Sequence, residues 1–402
     1  MKKIWDRKDG VKVNKKVEDY TVGLDYLLDL ELLPYDIAGT KAHAKMLHKI
    51  KILSPQELGI LLKGLDEVND LWEKGKFKID KSQEDGHTAI ESYLTEKYGD
   101  VGKKVHTGRS RNDQSLVMTR LFSKEKLFSI RRNTEDLIKI LNEKIKEMGK
   151  IKMPGYTHMQ RAMPSSVGMW LGSFRDSLKD DLLLLDAVIK VIDQNPLGSA
   201  AGYGENTLGL DRALTTKELG FKRVQHNPIY CAKSRGKFEN MTLQAVSNVM
   251  FDLGKIANDL LLFTTKEFDF FNLPDSFKTG SSIMPQKKNY DVLELVRGNV
   301  GIFSGYQHQI ENVVKNLPSG YNRDFQLTKE PYIKGVRLAE DTIEIMTLVV
   351  SNLEAKKEKL EAACSKELYA TDEALKLVKG GKNFREAYQQ VKENYYNNNE
   401  QK

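Results

Sequence analysis

The chain has 402 residues, 40% of them apolar and 30% charged, with a formal net charge of +7. That length calls for more than one domain, and a charge spread so thinly along it excludes a concentrated nucleic-acid-binding face. Only two cysteines occur, Cys231 and Cys364, too few for a disulfide framework or a zinc-ligand set, which points to a reduced, cytosolic setting.

The start, Met1 to Arg7, turns charged at once and has no signal-peptide core. Residues 1–105 read as an N-terminal domain of shorter helices with several glycine breaks. The first polar cluster follows, Val105-His106-Thr107-Gly108-Arg109-Ser110-Arg111-Asn112-Asp113-Gln114. Guanidinium forks at Arg109 and Arg111 suit carboxylates, while Ser110 and Asn112 fill the remaining acceptors. If this cluster opens a helix, free backbone amides add anion affinity; the plain alternative is a solvated loop with an N-cap.

A second cluster, Pro154-Gly155-Tyr156-Thr157-His158-Met159-Gln160-Arg161-Ala162-Met163-Pro164, is bracketed by prolines, so a loop displays His158 beside Thr157. From Met169 to Ile192 the chain is helical in period and apolar around most of its circumference, which suits the inside of a bundle. Its richest apolar part, from Leu182, is interrupted by Asp186 and Lys190 and is too short to span a bilayer. A further stripe runs Phe238, Met241, Ala245, Val249, Leu253, Ile256, Leu260 and Phe263.

The richest segment is Thr279-Gly280-Ser281-Ser282-Ile283-Met284-Pro285-Gln286-Lys287-Lys288-Asn289. Glycine lets hydroxyls and amides close over a ligand, and lysines offer charge to a carboxylate, so this is an anion-binding loop. It leads into Glu294, about one turn inside a helix whose stripe is Val292, Leu295, Asn299, Phe303, Tyr306, Ile310, Val313 and Leu317. A fourth cluster, Leu317 to Lys329, holds Tyr321, Arg323, Gln326 and Lys329; its plain reading is a capped helix connection. Residues 106–350 thus form a central bundle of long helices, and 351–402 a small helical domain whose polar tail from Tyr395 is expected to fray. No strand alternation or Asn-Gly turn competes. The fold class is all-α, an elongated helical bundle flanked by two smaller helical domains.

Four such clusters in this order resemble the argininosuccinate lyase branch of the fumarase/aspartase superfamily, in a short bacterial form. His106 to Gln114, Gly155 to Gln160, Gly280 to Asn289 and Leu317 to Gln326 each resemble one of its regions, so the resemblance covers nearly the whole chain. It implies elimination of fumarate from N-(L-arginino)succinate, releasing L-arginine. The resemblance implies Ser281 as proton-abstracting residue, Lys287 as carboxylate stabiliser, and His158, beside Thr157, paired with Glu294. A history of His-as-base and Ser-as-base assignments leaves Ser281 and His158 both open, with Ser281 favoured. It further implies substrate contacts from Arg109, Ser110, Arg111, Asn112, Asn289, Tyr321, Arg323, Gln326, Lys329 and, at the least matched position, Asp25. No metal or organic cofactor is called for, and no nucleic-acid or membrane partner. The implied assembly is a homotetramer whose active sites are shared between subunits.

The chain departs from that pattern in four places. Cys231-Ala232-Lys233-Ser234-Arg235-Gly236-Lys237-Phe238 puts basic residues where acidic ones are usual, so charge partners near that helix start must differ. Tyr20 to Asp25 and Tyr290 also differ, and the C-terminal domain is shortened. None removes a catalytic position. Another lyase of the superfamily, such as adenylosuccinate lyase, and a non-enzymatic crystallin-like tetramer are the competing expectations.

Overall fold

The computed structural model describes residues 13–399; residues 1–12, with the charged start Met1 to Arg7, and 400–402 lie outside the described residues, as do the side chains of 396–399. Among the described residues the chain forms fourteen α-helices and eight short strands. In order, α1 is Lys15–Val22, α2 Asp25–Lys49, α3 Pro55–Glu73, α4 Gly86–Tyr98 and α5 Arg111–Met148. A hairpin of β1 (Lys152–Thr157) and β2 (Gln160–Ser166) leads to α6, Val167–Ile192. Next come β3 (Gln194–Asn195), α7 (Arg212–Glu218), β4 (Arg223–Val224), α8 (Pro228–Ser234) and α9 (Lys237–Phe263). After β5 (Phe271–Asn272), β6 (Thr279–Gly280) and β7 (Lys288–Asn289) come α10, Asp291–Val314, and α11, Lys329–Ser351. The chain closes with β8 (Glu354–Ala355), α12 (Lys357–Ala362), α13 (Ala370–Lys379) and α14 (Phe384–Asn399). The fold is all-α in class, and no helix among the described residues is long and apolar enough to cross a membrane.

The chain divides into two compact units, each assembled from three segments. Unit 1 takes the chain up to Ser129, Leu185–Ala245 and Ser304–Arg337; unit 2 takes Ile130–Leu184, Val246–Phe303 and everything from Leu338.

In unit 1 the core is built where α2, α3 and α4 meet. Leu33, Ile37, Leu47, Leu61, Leu65, Val68, Ile90 and Leu94 are all buried there. Helix α3 starts cleanly because Ser54 and Glu57 form a capping box and Pro55 stands at its first position. The turn after α4 fits against that helix only because residue 102 is glycine: a Cβ there would lie 2.4 Å from the Leu94 carbonyl carbon and the Thr95 nitrogen.

Unit 2 gathers Trp170, Phe263, Phe268, Phe270 and Phe271 into one network of tilted and edge-on rings. The stripe on α9 is buried as the periodicity predicts, with Val249, Leu253, Ile256 and Leu260 at 1% exposure or less. On α10 the helix is as predicted but its inner face is not: Leu293, Val296, Phe303 and Ile310 are buried, while Leu295 points outward at 67% exposure. Met169 and Leu183 on α6 are likewise exposed, so the apolar girth of that helix is only partly covered within one chain.

Two expectations need correction. Residues 152–166 form an antiparallel hairpin, not an irregular loop, with Tyr156 opposite Arg161 and Thr157 opposite Gln160. The two-residue turn between them, His158-Met159, has φ of 53° and 61°. Asn-Gly ordinarily supplies that geometry, and Pro154 and Pro164 face each other in the ladder, so the usual strand signals were absent. Of the tail from Tyr395 to Lys402, expected to fray, residues 395–399 continue α14 and the Tyr395 hydroxyl donates to the Lys366 carbonyl at 3.0 Å, while 400–402 lie outside the described residues.

Replacing Gly102 by Ala forces a methyl into the backbone of α4. Overpacking of this kind costs about 1–3 kcal/mol, so the urea midpoint of Gly102→Ala should fall; an unchanged midpoint would show that α4 moves aside freely.

Candidate functional site

Unit 1 contains a polar cavity of about 200 Å³. Its walls come from the start of α2 (Asp25, Asp29), the start of α4 (Glu84, Asp85, His87), the first turn of α5 (Arg111, Asn112, Gln114), the α8–α9 turn (Arg235) and the segment Tyr321 to Lys329. Of the residues singled out from sequence, Asp25, Arg111, Asn112, Tyr321, Arg323, Gln326 and Lys329 meet here.

Local sequence sets the α5 wall. The Ser110 hydroxyl accepts from the Asn112 amide at 3.2 Å, and the Asp113 carboxylate accepts from the Ser110 amide at 3.0 Å, so the two cap the helix reciprocally. Arg111 then lies at the first helical position and is clamped by Glu84 at 3.0 Å and Asp85 at 3.2 Å. Arg109 takes a different post. Its side chain is fully buried behind the wall, donating to Thr40 Oγ1 at 2.7 Å and lying 3.7 Å from Asp36. Ser110 and Arg109 therefore shape the cavity without lining it.

Opposite, Lys329 is buried between two carboxylates, 3.1 Å from Asp25 and in direct hydrogen bond with Asp29. Burial alone would lower its affinity for a proton, but Asp25 and Asp29 outweigh it and hold the ammonium up at about 12. Burial pushes Asp25 the other way, above the ordinary carboxylate range, with Asp29 adding to the push against Lys329. One ammonium cannot compensate two carboxylates. Asp85 is raised to about 6, first by burial, with Arg111 opposing. Gln326 donates to the carbonyls of Thr21 and Val22 at 3.1 and 3.0 Å, and the exposed Arg323 donates to the Thr21 carbonyl at 2.9 Å.

His87, Glu91 and His106 bring potential metal-ligand atoms within 4.8 Å of one another. The imidazoles of His87 and His106 are stacked, with centroids 3.6 Å apart and planes 16° apart. Near-parallel rings send their in-plane lone pairs side by side, whereas a metal needs them to converge. His87 Nδ1 is also engaged by Gln114, and His106 Nε2 by the His87 carbonyl at 3.1 Å. His87, which lines the cavity, and His106 are thus held by stacking and by these hydrogen bonds.

The other candidates lie in unit 2. Thr157 closes β1, and His158 stands exposed in the hairpin turn. Ser281 begins the connection between β6 and β7, where Thr279 pairs with Asn289 and Gly280 with Lys288. Its Oγ accepts from the amides of Met284 at 3.1 Å and Ile283 at 3.4 Å. Lys287 is exposed in that loop, and Glu294 is exposed in the first turn of α10. Among the described residues no hydrogen bond or ion pair joins His158, Ser281, Lys287 and Glu294 to one another.

Sequence reading missed Asp29, Glu84, Asp85, His87, Gln114 and Arg235 as cavity walls. Asp29 had a usable signal, since it follows Asp25 by four residues on one helix face. Arg235 was visible only as a departure in charge.

Comparison with known proteins fits this arrangement. Residues 11–304 match a family model described as lyase. An argininosuccinate lyase of Thermotoga neapolitana is 43% identical over 98% of both chains. Another, from Xanthomonas euvesicatoria, is 45% identical over 96% of this chain and 88% of its own. Among solved structures, EDDS lyase in complex with formate superposes with a TM-score of 0.80 at 26% identity, over 95% of this chain and 76% of that one. A class II fumarase from Schistosoma mansoni, at 18% identity and a TM-score of 0.77 over 93% of this chain and 91% of its own, shares the fold. The fold and motifs are those of a lyase of the fumarase/aspartase type. Within that class, the chain belongs to the argininosuccinate lyase family.

Behind the cavity, His43 is held down at about 3, first by burial and then by the neighbouring Arg109 charge. A lowered value means that the folded chain keeps His43 neutral while the unfolded chain protonates it below about 6.5. The stability this contributes is present above that pH and is lost as pH falls toward 3. Between pH 6 and 4, the gap in unfolding free energy between wild type and His43→Gln should shift by about 1.4 kcal/mol per pH unit. A gap independent of pH in urea titrations would show that His43 is not buried neutral.

Proposed function

We propose that this chain cleaves N-(L-arginino)succinate to fumarate and L-arginine. The observation that carries this is the 43% identity to an argininosuccinate lyase over 98% of both chains. The chemistry needs a base at Cβ, cations for the developing aci-carboxylate, and a proton for the departing guanidino nitrogen.

Ser281 is the base in this reading. Its oxygen already accepts two backbone amides, which favours negative charge on that atom. It takes the Cβ proton, the electron pair of that bond becomes the second bond of the new alkene, and the Cα–N bond breaks toward the guanidino group. Lys287 and Asn289 stabilise the carboxylate as charge builds. His158, oriented by Glu294 and aided by Thr157, binds a carboxylate or delivers the proton to nitrogen. Arg111, Asn112, Tyr321, Gln326 and Lys329 hold the rest of the substrate, and closure of the loop after Gly280 would exclude water and strengthen each contact.

The exposure of Thr157, His158, Lys287 and Glu294 supports a site completed by association of chains. So do the uncovered apolar side chains on α6 and α10, such as Met169, Leu183, Leu295 and Ile302. The assembly we propose is a cytosolic homotetramer with active sites shared between subunits, acting on a small-molecule substrate without metal or organic cofactor.

Purified protein should release fumarate, followed by its ultraviolet absorbance, from argininosuccinate and not from adenylosuccinate, malate or aspartate. Fumarate from any of the last three in place of the first would sink the assignment. In Ser281→Ala, kcat should fall by roughly three orders of magnitude or more with the elution volume unchanged. Near-normal turnover would exclude Ser281 as base. Chelator should leave turnover unaltered.

A further inference from the structure

The departure at Arg235 has a structural counterpart. Arg235 ends α8 and Gly236 opens the way to α9, and the pair forms a tight turn. Gly236 has φ of +73°, and a Cβ there would lie 2.3 Å from Val314 Cγ1 and 3.4 Å from Thr328 Cγ2. Only glycine permits both that conformation and that approach. The turn is thereby pressed against the end of α10 and the segment Arg323–Thr328. Arg235 is in consequence 5% exposed and lines the cavity.

Its charge is uncommitted. Arg111 is clamped by Glu84 and Asp85, Lys329 by Asp25 and Asp29, and Arg323 donates to a carbonyl at the exposed rim. The Arg235 side chain makes no hydrogen bond and no ion pair among the described residues. The ring of Tyr321 lies 6.0 Å from its guanidinium carbon, and the carboxylates that feel its field, Asp25 and Glu239, do not reach it as ion-pair partners. A buried guanidinium with five free donors in a ligand-sized cavity is a receptor for a planar oxyanion.

One uncommitted buried cation matches one carboxylate. The succinyl half of the substrate carries two, and the residues proposed for it lie in unit 2; the leaving amino acid carries one. We propose that Arg235 recognises the α-carboxylate of the departing arginine, so that the cavity selects an amino acid over the corresponding decarboxylated amine. This rests on the substrate assignment above and deepens it.

L-Arginine and agmatine, which differ by that carboxylate, are the probes. Both are titrated by calorimetry into the intact wild-type protein, Arg235→Ala and Arg235→Lys, and tested as inhibitors of fumarate release. Wild type should bind arginine about 10- to 100-fold more tightly than agmatine. In Arg235→Ala that ratio should fall to near one with agmatine affinity little changed, and Arg235→Lys should retain part of it. A wild type indifferent to the carboxylate, or a ratio unchanged in Arg235→Ala, would overturn the proposal. Equal loss of both ligands with a lowered melting temperature would overturn it too, since Arg235 would then be only structural. Binding is read without turnover, so a failure of the substrate assignment, seen as no fumarate from argininosuccinate, is recorded separately.

Discussion

The structure around the cavity depends on one buried ammonium. Lys329 begins α11 and Asp25 begins α2, so the triplet of Lys329, Asp25 and Asp29 ties together the starts of two helices about three hundred positions apart in the chain. Removing one partner of such a buried set strands a charge, at a cost of about 3–5 kcal/mol. The same anchoring brings the carbonyls of Thr21 and Val22 under Gln326 and Arg323. The contact that defines the floor therefore also places the residues above it. Because the triplet carries one positive and two negative groups, burial and mutual repulsion raise the Asp25 carboxyl above the ordinary carboxylate range.

Much of the site was legible because its polar residues are contiguous in the chain. His106 to Gln114 reads as a unit, since a cap, a guanidinium and an amide all fall within the first turn of one helix. What the string could not convey is direction. Arg109 and Arg111 stand two residues apart, yet one is sealed against Asp36 and Thr40 while the other faces the cavity. Near a helix start, where the backbone changes conformation, neighbouring side chains diverge by amounts that spacing does not report. Glu84 and Asp85 were invisible for a different reason: acidic residues before a helix are usually solvated caps, and Asp85 does cap α4 by accepting from the Thr88 amide, but the pairing of both with Arg111 comes from another element.

The fold class was secure from period alone, and the inner face of each helix was not. The α9 stripe is buried as its period predicts, with Val249, Leu253, Ile256 and Leu260 almost wholly covered within one chain. On α10 the apolar residues exceed what one chain covers, so two phases of the same pattern compete and Leu295 lies outside the buried one. Excess apolar surface blurs the register of a stripe for the same reason that it invites association. The reactive groups of unit 2 share that exposed character. Electrostatic stabilisation is weak in bulk water, so the roles proposed for them call for a surface that dries them.

The turn at His158-Met159 bears on how such a surface could be met. Two residues other than glycine hold left-handed backbone there, a conformation that costs about 1–2 kcal/mol apiece and is sustained by the flanking ladder. The His158 side chain is exposed, while its backbone is held by the strand pair on either side, Thr157 opposite Gln160. In the role proposed for it, the ring surrenders the freedom of its own two torsions and not of a loop, so ordering it carries a small entropic penalty. An exposed group on a stiff hairpin is already most of the way to its bound state.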